Sequence, residues 1–190
     1  MSGYSGVPPQ YREILENRSN DASLNINKTV YFIYTFKETG YDQKMKSQER
    51  WSINNDISWL ENKGITVIVL ESATKKELLN AFSDNNAISI ITSGHGYDNE
   101  EGIQTSDGKS LKPSDILKEN VGKSLNTVVF ENCWQGDIKS DWESSFENNT
   151  NIVSWKGPVR TYETISFNSI GLFDRQPKNL RQILKNSINP

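Results

Sequence analysis

The chain contains one cysteine, Cys133, and one histidine, His95. A thiol becomes a strong nucleophile only as its thiolate, so a cysteine hydrolase needs an imidazole within reach to take or hold the proton. Each of these residues follows an apolar run. Ala87 to Thr92 (AISIIT) leads into Ser93-Gly94-His95-Gly96, and Asn126 to Phe130 (NTVVF) leads into Glu131-Asn132-Cys133-Trp134-Gln135-Gly136. Runs of this β-branched character read as strands buried on both faces. As parallel neighbours, the two would bring His95 and Cys133 to one sheet edge, about 5 Å apart in strand spacing. Gly94 and Gly96 allow a sharp turn and a close backbone approach. The Gly96 N–H is available to a substrate oxygen, the Cys133 N–H points toward a developing oxyanion, and Gly136 permits a similar turn after the nucleophile.

Taken alone, a cysteine is usually a small buried hydrophobe, and a histidine after a strand is usually a loop residue bonded to backbone. Their coincidence, as sole copies beside glycines at corresponding strand ends, favours catalysis.

Other segments supply the scaffold. Residues 1–27 are polar and weakly patterned, a tail ahead of a domain over 28–190. Thr29 to Phe36 (TVYFIYTF), Ile65 to Leu70 (ITVIVL) and Asn151 to Trp155 (NIVSW) read as three further buried strands. Lys37 to Lys46 reads as a loop, and Ser47 to Asn62 as one helix with Trp51, Ile53, Ile57 and Leu60 on one face. Thr74-Lys75-Lys76-Glu77 is a capping box opening a helix. Ser106-Asp107-Gly108-Lys109 marks a hairpin between short strands. Pro113 to Glu119, Asp141 to Phe146, Thr164 to Phe173 and Asn179 to Ile188 complete the helices. Strands alternating with helices predict an α/β domain with a mostly parallel central sheet and helices on both faces, where chemistry collects at the carboxyl ends of the strands.

Composition narrows the function classes. Hydrophobic residues make up 34% of the chain and charged residues 24%, with a net charge of −3. Such a chain is expected to be a soluble globular protein with no electrostatic case for nucleic acid. No apolar run approaches the roughly 20 residues that span a bilayer. One thiol builds neither an intramolecular disulfide nor a cysteine metal site, so no metal or other cofactor is expected and a cytoplasmic location fits. No Gly-x-Gly-x-x-Gly or phosphate loop follows a strand, which disfavours a nucleotide binder.

An apolar strand ending in His-Gly, a short hairpin containing Asp-Gly, then an apolar strand ending in Glu-x-Cys-x-x-Gly resembles the caspase-like superfamily of cysteine peptidases. Gln-Ala-Cys, the start of the strict caspase motif, is absent. The chain is similar instead to the bacterial CHAT-like and clostripain-like branch, over roughly residues 29–188. The resemblance implies a caspase-like sandwich that cleaves a protein or peptide substrate through a Cys133–His95 dyad, with an oxyanion hole from the Gly96 and Cys133 N–H groups. It implies no third carboxylate, and a partner protein that orders the loops is compatible with it. Glu131 matches a pocket position that is acidic in members cleaving after basic residues and also in legumains, which cleave after Asn. Cleavage after Arg or Lys is therefore expected, with Asn next and Asp third, the last supported only by Lys156. Ser154-Trp155-Lys156 stands where caspases carry Ser-Trp-Arg, which implies a pocket wall at Ser154 and Trp155 or, for Trp155 equally, an ordinary core aromatic. The alternative is a catalytically silent fold that acts as a protein-binding or regulatory module.

Overall fold

The computed structural model describes residues 25–97, 101–169 and 178–188. Most of the N-terminal tail, and the end of the helix expected to reach Phe173, lie outside them. Five parallel strands form the central sheet in the order β2-β1-β3-β6-β7: β1 (Asn25–Tyr34), β2 (Ile65–Leu70), β3 (Ala87–Ser93), β6 (Thr127–Phe130) and β7 (Asn151–Ser154). The chain runs from β1 out to β2, then returns to lay β3 on the other side of β1. That reversal opens a crevice at the carboxyl ends of the strands. A two-stranded antiparallel hairpin, β4 (Ile103–Gln104) with β5 (Ser110–Leu111), sits between β3 and β6 in sequence.

Alternation along the strands splits the core in two. Tyr31, Ile33, Ile68, Ile90, Val128 and Phe130 pack against α3 (Lys75–Phe82) and α4 (Lys139–Ser145). Val30, Phe32, Tyr34, Ile65, Ile91 and Val129 face the opposite layer. That layer holds α1 (Gly40–Ser52), α2 (Asn54–Glu61), α5 (Thr161–Ser169) and α6 (Leu180–Ile188). Six α-helices thus cover both faces of the sheet among the described residues, and none is long and apolar enough to cross a membrane. The capping box is formed: the Glu77 N–H donates to the Thr74 hydroxyl and the Thr74 N–H to the Glu77 carboxylate.

Several boundaries differ from the sequence reading. Strand β1 begins at Asn25, four residues before the expected start. Helix α1 begins at Gly40, where a loop was expected, and ends near Ile53 before α2 starts. The break separates Trp51, which is 71% exposed, from the buried Ile53 and Leu60. The reason lies in which residues α1 buries. They are Lys46, Glu49 and Ser52, so an apolar period cannot report this helix. The helix expected from Pro113 is reduced to two short 3-10 turns, Pro113–Asp115 and Lys118–Asn120.

Candidate active site

Strands β3 and β6 are parallel neighbours, with Thr92 opposite Phe130. His95 and Cys133 therefore leave the sheet side by side, and both line one open cleft of about 1280 Å³. Buried polar side chains set the two loops against each other. Asn132 accepts from the Thr92 hydroxyl at 2.7 Å and donates to the His95 carbonyl at 3.4 Å. Gln135 donates to the carbonyls of Cys133 at 2.8 Å and Gly102 at 3.1 Å, while its own oxygen accepts from the Trp142 indole at 3.0 Å. A fully buried amide with every bond committed holds a loop in one conformation.

The glycines act differently from one another. Gly94 has a φ of +150°, and a Cβ there would fall 2.1 Å from the Thr35 hydroxyl. Gly96 has an ordinary φ and is needed for closeness instead. A Cβ on it would lie 2.1 Å from the Cys133 carbonyl oxygen and 3.0 Å from the Cys133 nitrogen. The two N–H groups expected to bind an oxyanion therefore belong to backbones in contact. The sharp turn expected at Gly136 falls on Trp134, with φ of +59°. Gly136 packs flat on the Trp155–Lys156 peptide, and its N–H donates to the Trp155 carbonyl at 2.7 Å.

At the nucleophile position, the Val159 N–H donates to Cys133 Sγ at 3.2 Å, and the thiol faces the Val159 carbonyl at 3.5 Å. Burial pushes the Cys133 thiol above its ordinary value. The Val159 N–H opposes this, whereas the Glu163 and Glu49 carboxylates add to it. The resting sulfur is therefore a protonated thiol. Nε2 of His95 lies 3.0 Å from Oδ1 of Asp42, and the ring meets Phe36 edge-on at 5.5 Å between centroids.

Two buried acids line the same cleft as His95 and Cys133. Glu131, 5% exposed, has one carboxylate oxygen with no hydrogen-bond partner among the described residues. Glu49, 3% exposed, accepts a very short bond from the Ser93 hydroxyl. Among the described residues neither carboxylate forms an ion pair. Burial pushes the Glu49 carboxyl up to about 7, with bonds from Ser93 and Thr161 pulling the other way. Burial and the neighbouring Glu49 charge hold Glu131 well above the carboxylate range, against a bond from Asn168. Among the described residues, no three His, Cys, Asp or Glu side chains converge as metal ligands.

The cleft brings together His95, Cys133 and Glu131, and the backbone of Gly96 stands against that of Cys133. It does not bring in Ser154 or Trp155. Ser154 ends β7, and Trp155 is core, 3% exposed and edge-on to Phe167 at 4.9 Å. Of the two readings open for Trp155, its burial against Phe167 fits the core aromatic. The sequence reading missed Asp42 and Glu49. Their spacing of seven puts both on one face of α1, two turns apart, but only knowing that Gly40–Ser52 is helix makes the spacing informative. No protein-family model matches the chain, and no curated protein is similar to it.

Proposed function

We propose that this chain is a caspase-like cysteine endopeptidase of the bacterial CHAT-like or clostripain-like kind, acting in a reducing cytoplasm and cutting protein or peptide substrates after a basic residue. One observation carries the reading: the only thiol and the only imidazole of the chain leave adjacent parallel strands into the same cleft.

In the reaction, Cys133 Sγ attacks the scissile carbonyl carbon while His95 takes the thiol proton. Because the resting thiol is protonated, this transfer accompanies attack rather than preceding it. The Gly96 and Cys133 N–H groups receive the carbonyl oxygen as it gains charge. Collapse breaks the C–N bond, and His95 protonates the departing amine. Water, deprotonated by His95, then cleaves the thioester and restores the thiol. Substrate entry must displace the Val159 backbone from Sγ.

Selectivity follows from the two buried acids. A guanidinium or ammonium entering beside Glu131 and Glu49 would meet two carboxylates that lack a cationic partner among the described residues. Its arrival draws the Glu131 carboxyl into its ionised form, so binding a basic side chain releases a proton.

A second reading, a silent fold that binds proteins, draws on the occupied sulfur and its raised thiol. Peptides that carry an electrophile after Arg separate the two readings. A peptidase is labelled at Cys133, and the labelling is lost in His95→Ala. Both Cys133→Ala and His95→Ala are expected to abolish cleavage of Arg peptides and to keep the fold, as read by circular dichroism. Cleavage surviving in Cys133→Ala would sink the mechanism.

A further inference from the structure

Asp42 has no part in the reaction as written above, yet it is held on both of its oxygens. Oδ2 accepts the Lys37 N–H at 3.2 Å, and Oδ1 lies 3.0 Å from Nε2 of His95. Its side chain is only 19% exposed. The first contact is local, closing the turn that leads from Lys37 through the N-cap Thr39 into α1, and the helix dipole favours an acid there. The contact with the imidazole is additional. It joins the start of α1 to the residue that leaves β3, across 53 positions of sequence.

The chemistry of that contact is constrained. An ionised carboxylate has only acceptors, so the hydrogen between the two groups belongs to Nε2. A neutral imidazole carries a single N–H, which leaves the lone pair on Nδ1. We propose that Asp42 is a positioning residue that fixes His95 as its Nε2–H tautomer and so makes Nδ1 the base for the Cys133 proton. The second half of this statement rests on the peptidase reading; the tautomer rests on geometry alone. As the S–C bond forms, the thiol proton moves to Nδ1 and the ring becomes an imidazolium with its second N–H against Asp42. The same proton later leaves with the amine. Asp42 stabilises the cation and takes up no proton itself. Phe36, edge-on to the ring, limits its rotation, so the tautomer also fixes which nitrogen is turned away from Asp42.

His95 is the only imidazole in the chain, so tag-free protein grown with 15N-histidine gives a nitrogen spectrum of one residue. At a pH where the ring is neutral, the wild type is expected to have a pyrrole-like Nε2 and a pyridine-like Nδ1. Asp42→Asn offers the ring an N–H instead of an acceptor and is expected to move the proton to Nδ1; Asp42→Ala is expected to give a mixture. A wild-type ring protonated on Nδ1, or averaging between tautomers, overturns the proposal, and this measurement needs no variant to fold. In turnover of Arg peptides, Asp42→Asn is expected to lower kcat by roughly 10²- to 10³-fold, with KM nearly unchanged and partial recovery in Asp42→Glu. An effect on KM alone would also overturn it. The two readings fail separately. A protein that cleaves peptides with an Nδ1–H ring loses the role of Asp42 and keeps the peptidase. A protein with an Nε2–H ring that is inert to peptides and to the electrophilic inhibitor loses the peptidase and keeps the tautomer.

Discussion

The two helices that follow β1 each bury a carboxylate, and the molecule completes one of them and leaves the other open. Asp56, on α2, pairs with Arg181 of α6. That guanidinium also donates to the Asn55 carbonyl at 2.8 Å and covers the Trp59 ring at 4.8 Å from its centroid. Burial still raises the Asp56 carboxyl, but the cation pulls it back. Glu49, on α1, has hydroxyl partners and a second buried acid, Glu131, beside it. Desolvation raises both carboxyls. What differs is where the compensating charge comes from. At α2 the chain supplies its own cation and gains a fastening between helices. Beside His95 and Cys133 no described residue supplies one, and the acids line an open cleft. Burial without a compensating charge is the feature on which the cation pocket proposed above rests.

Three substitutions test that contrast. The largest effect is expected in the double variant Glu49→Gln/Glu131→Gln. Its preference for Arg peptides over otherwise identical Gln peptides should fall by roughly 10³-fold in kcat/KM, two charge-assisted contacts being removed at about 2 kcal/mol each. A double variant that keeps the preference would mean the two acids do not read charge.

Next comes a stability change of the opposite sign to that of an acid whose ion pair depresses its value. Glu49 has a folded value of about 7, above its unfolded value of 4.5. The folded protein therefore holds a proton that the unfolded chain has lost between those limits, and stability falls as pH rises from about 4.5 to about 7. Glu49→Gln removes this slope. Urea titrations should find the variant stabilised relative to wild type by on the order of 3 kcal/mol at pH 8, with no gain at pH 4. A loss of stability at pH 8 would mean that Glu49 is compensated as Asp56 is.

The smallest effect is expected at the completed pair. Asp56→Asn should destabilise the fold by about 2 kcal/mol at pH 7, because it leaves a partly buried Arg181 without its counter-charge. Selectivity among peptides should not change. A changed Arg preference in this variant would tie the two regions together and break the comparison.

The strands, and the two residues that leave them toward the cleft, were legible in the sequence because each buried parallel strand needs a continuous β-branched run. TVYFIYTF, ITVIVL, AISIIT, NTVVF and NIVSW each mark one. The capping box was legible because it is a local bond pattern within four residues. The first half of helix α1, read as loop up to Lys46, was not, because the face it buries is polar and hydropathy carries no signal for a buried polar side chain. For the same reason Asp42 and Glu49 went unseen, although they lie seven residues apart. Trp155 was read both ways and fell to the core. It packs edge-on to Phe167 just past the end of β7, and a strand's alternation cannot be phased by one aromatic beyond its last paired residue.

By itself, the sequence determined that the chain would form an α/β domain, that its single thiol and single imidazole would follow strands, and that Gly94 and Gly96 would stand beside the imidazole. Those follow from local patterning, in which each residue reports its own environment. Only the tertiary structure decided that β3 and β6 are neighbours, that Asp42 returns across 53 residues to the His95 ring, and that Glu49 and Glu131 line one cleft and interact electrostatically. The first is a pairing of strands, and the other two are meetings between side chains of α1 and the segments that leave β3 and β6. The energies involved, desolvation and charge at close range, do not exist until the segments meet.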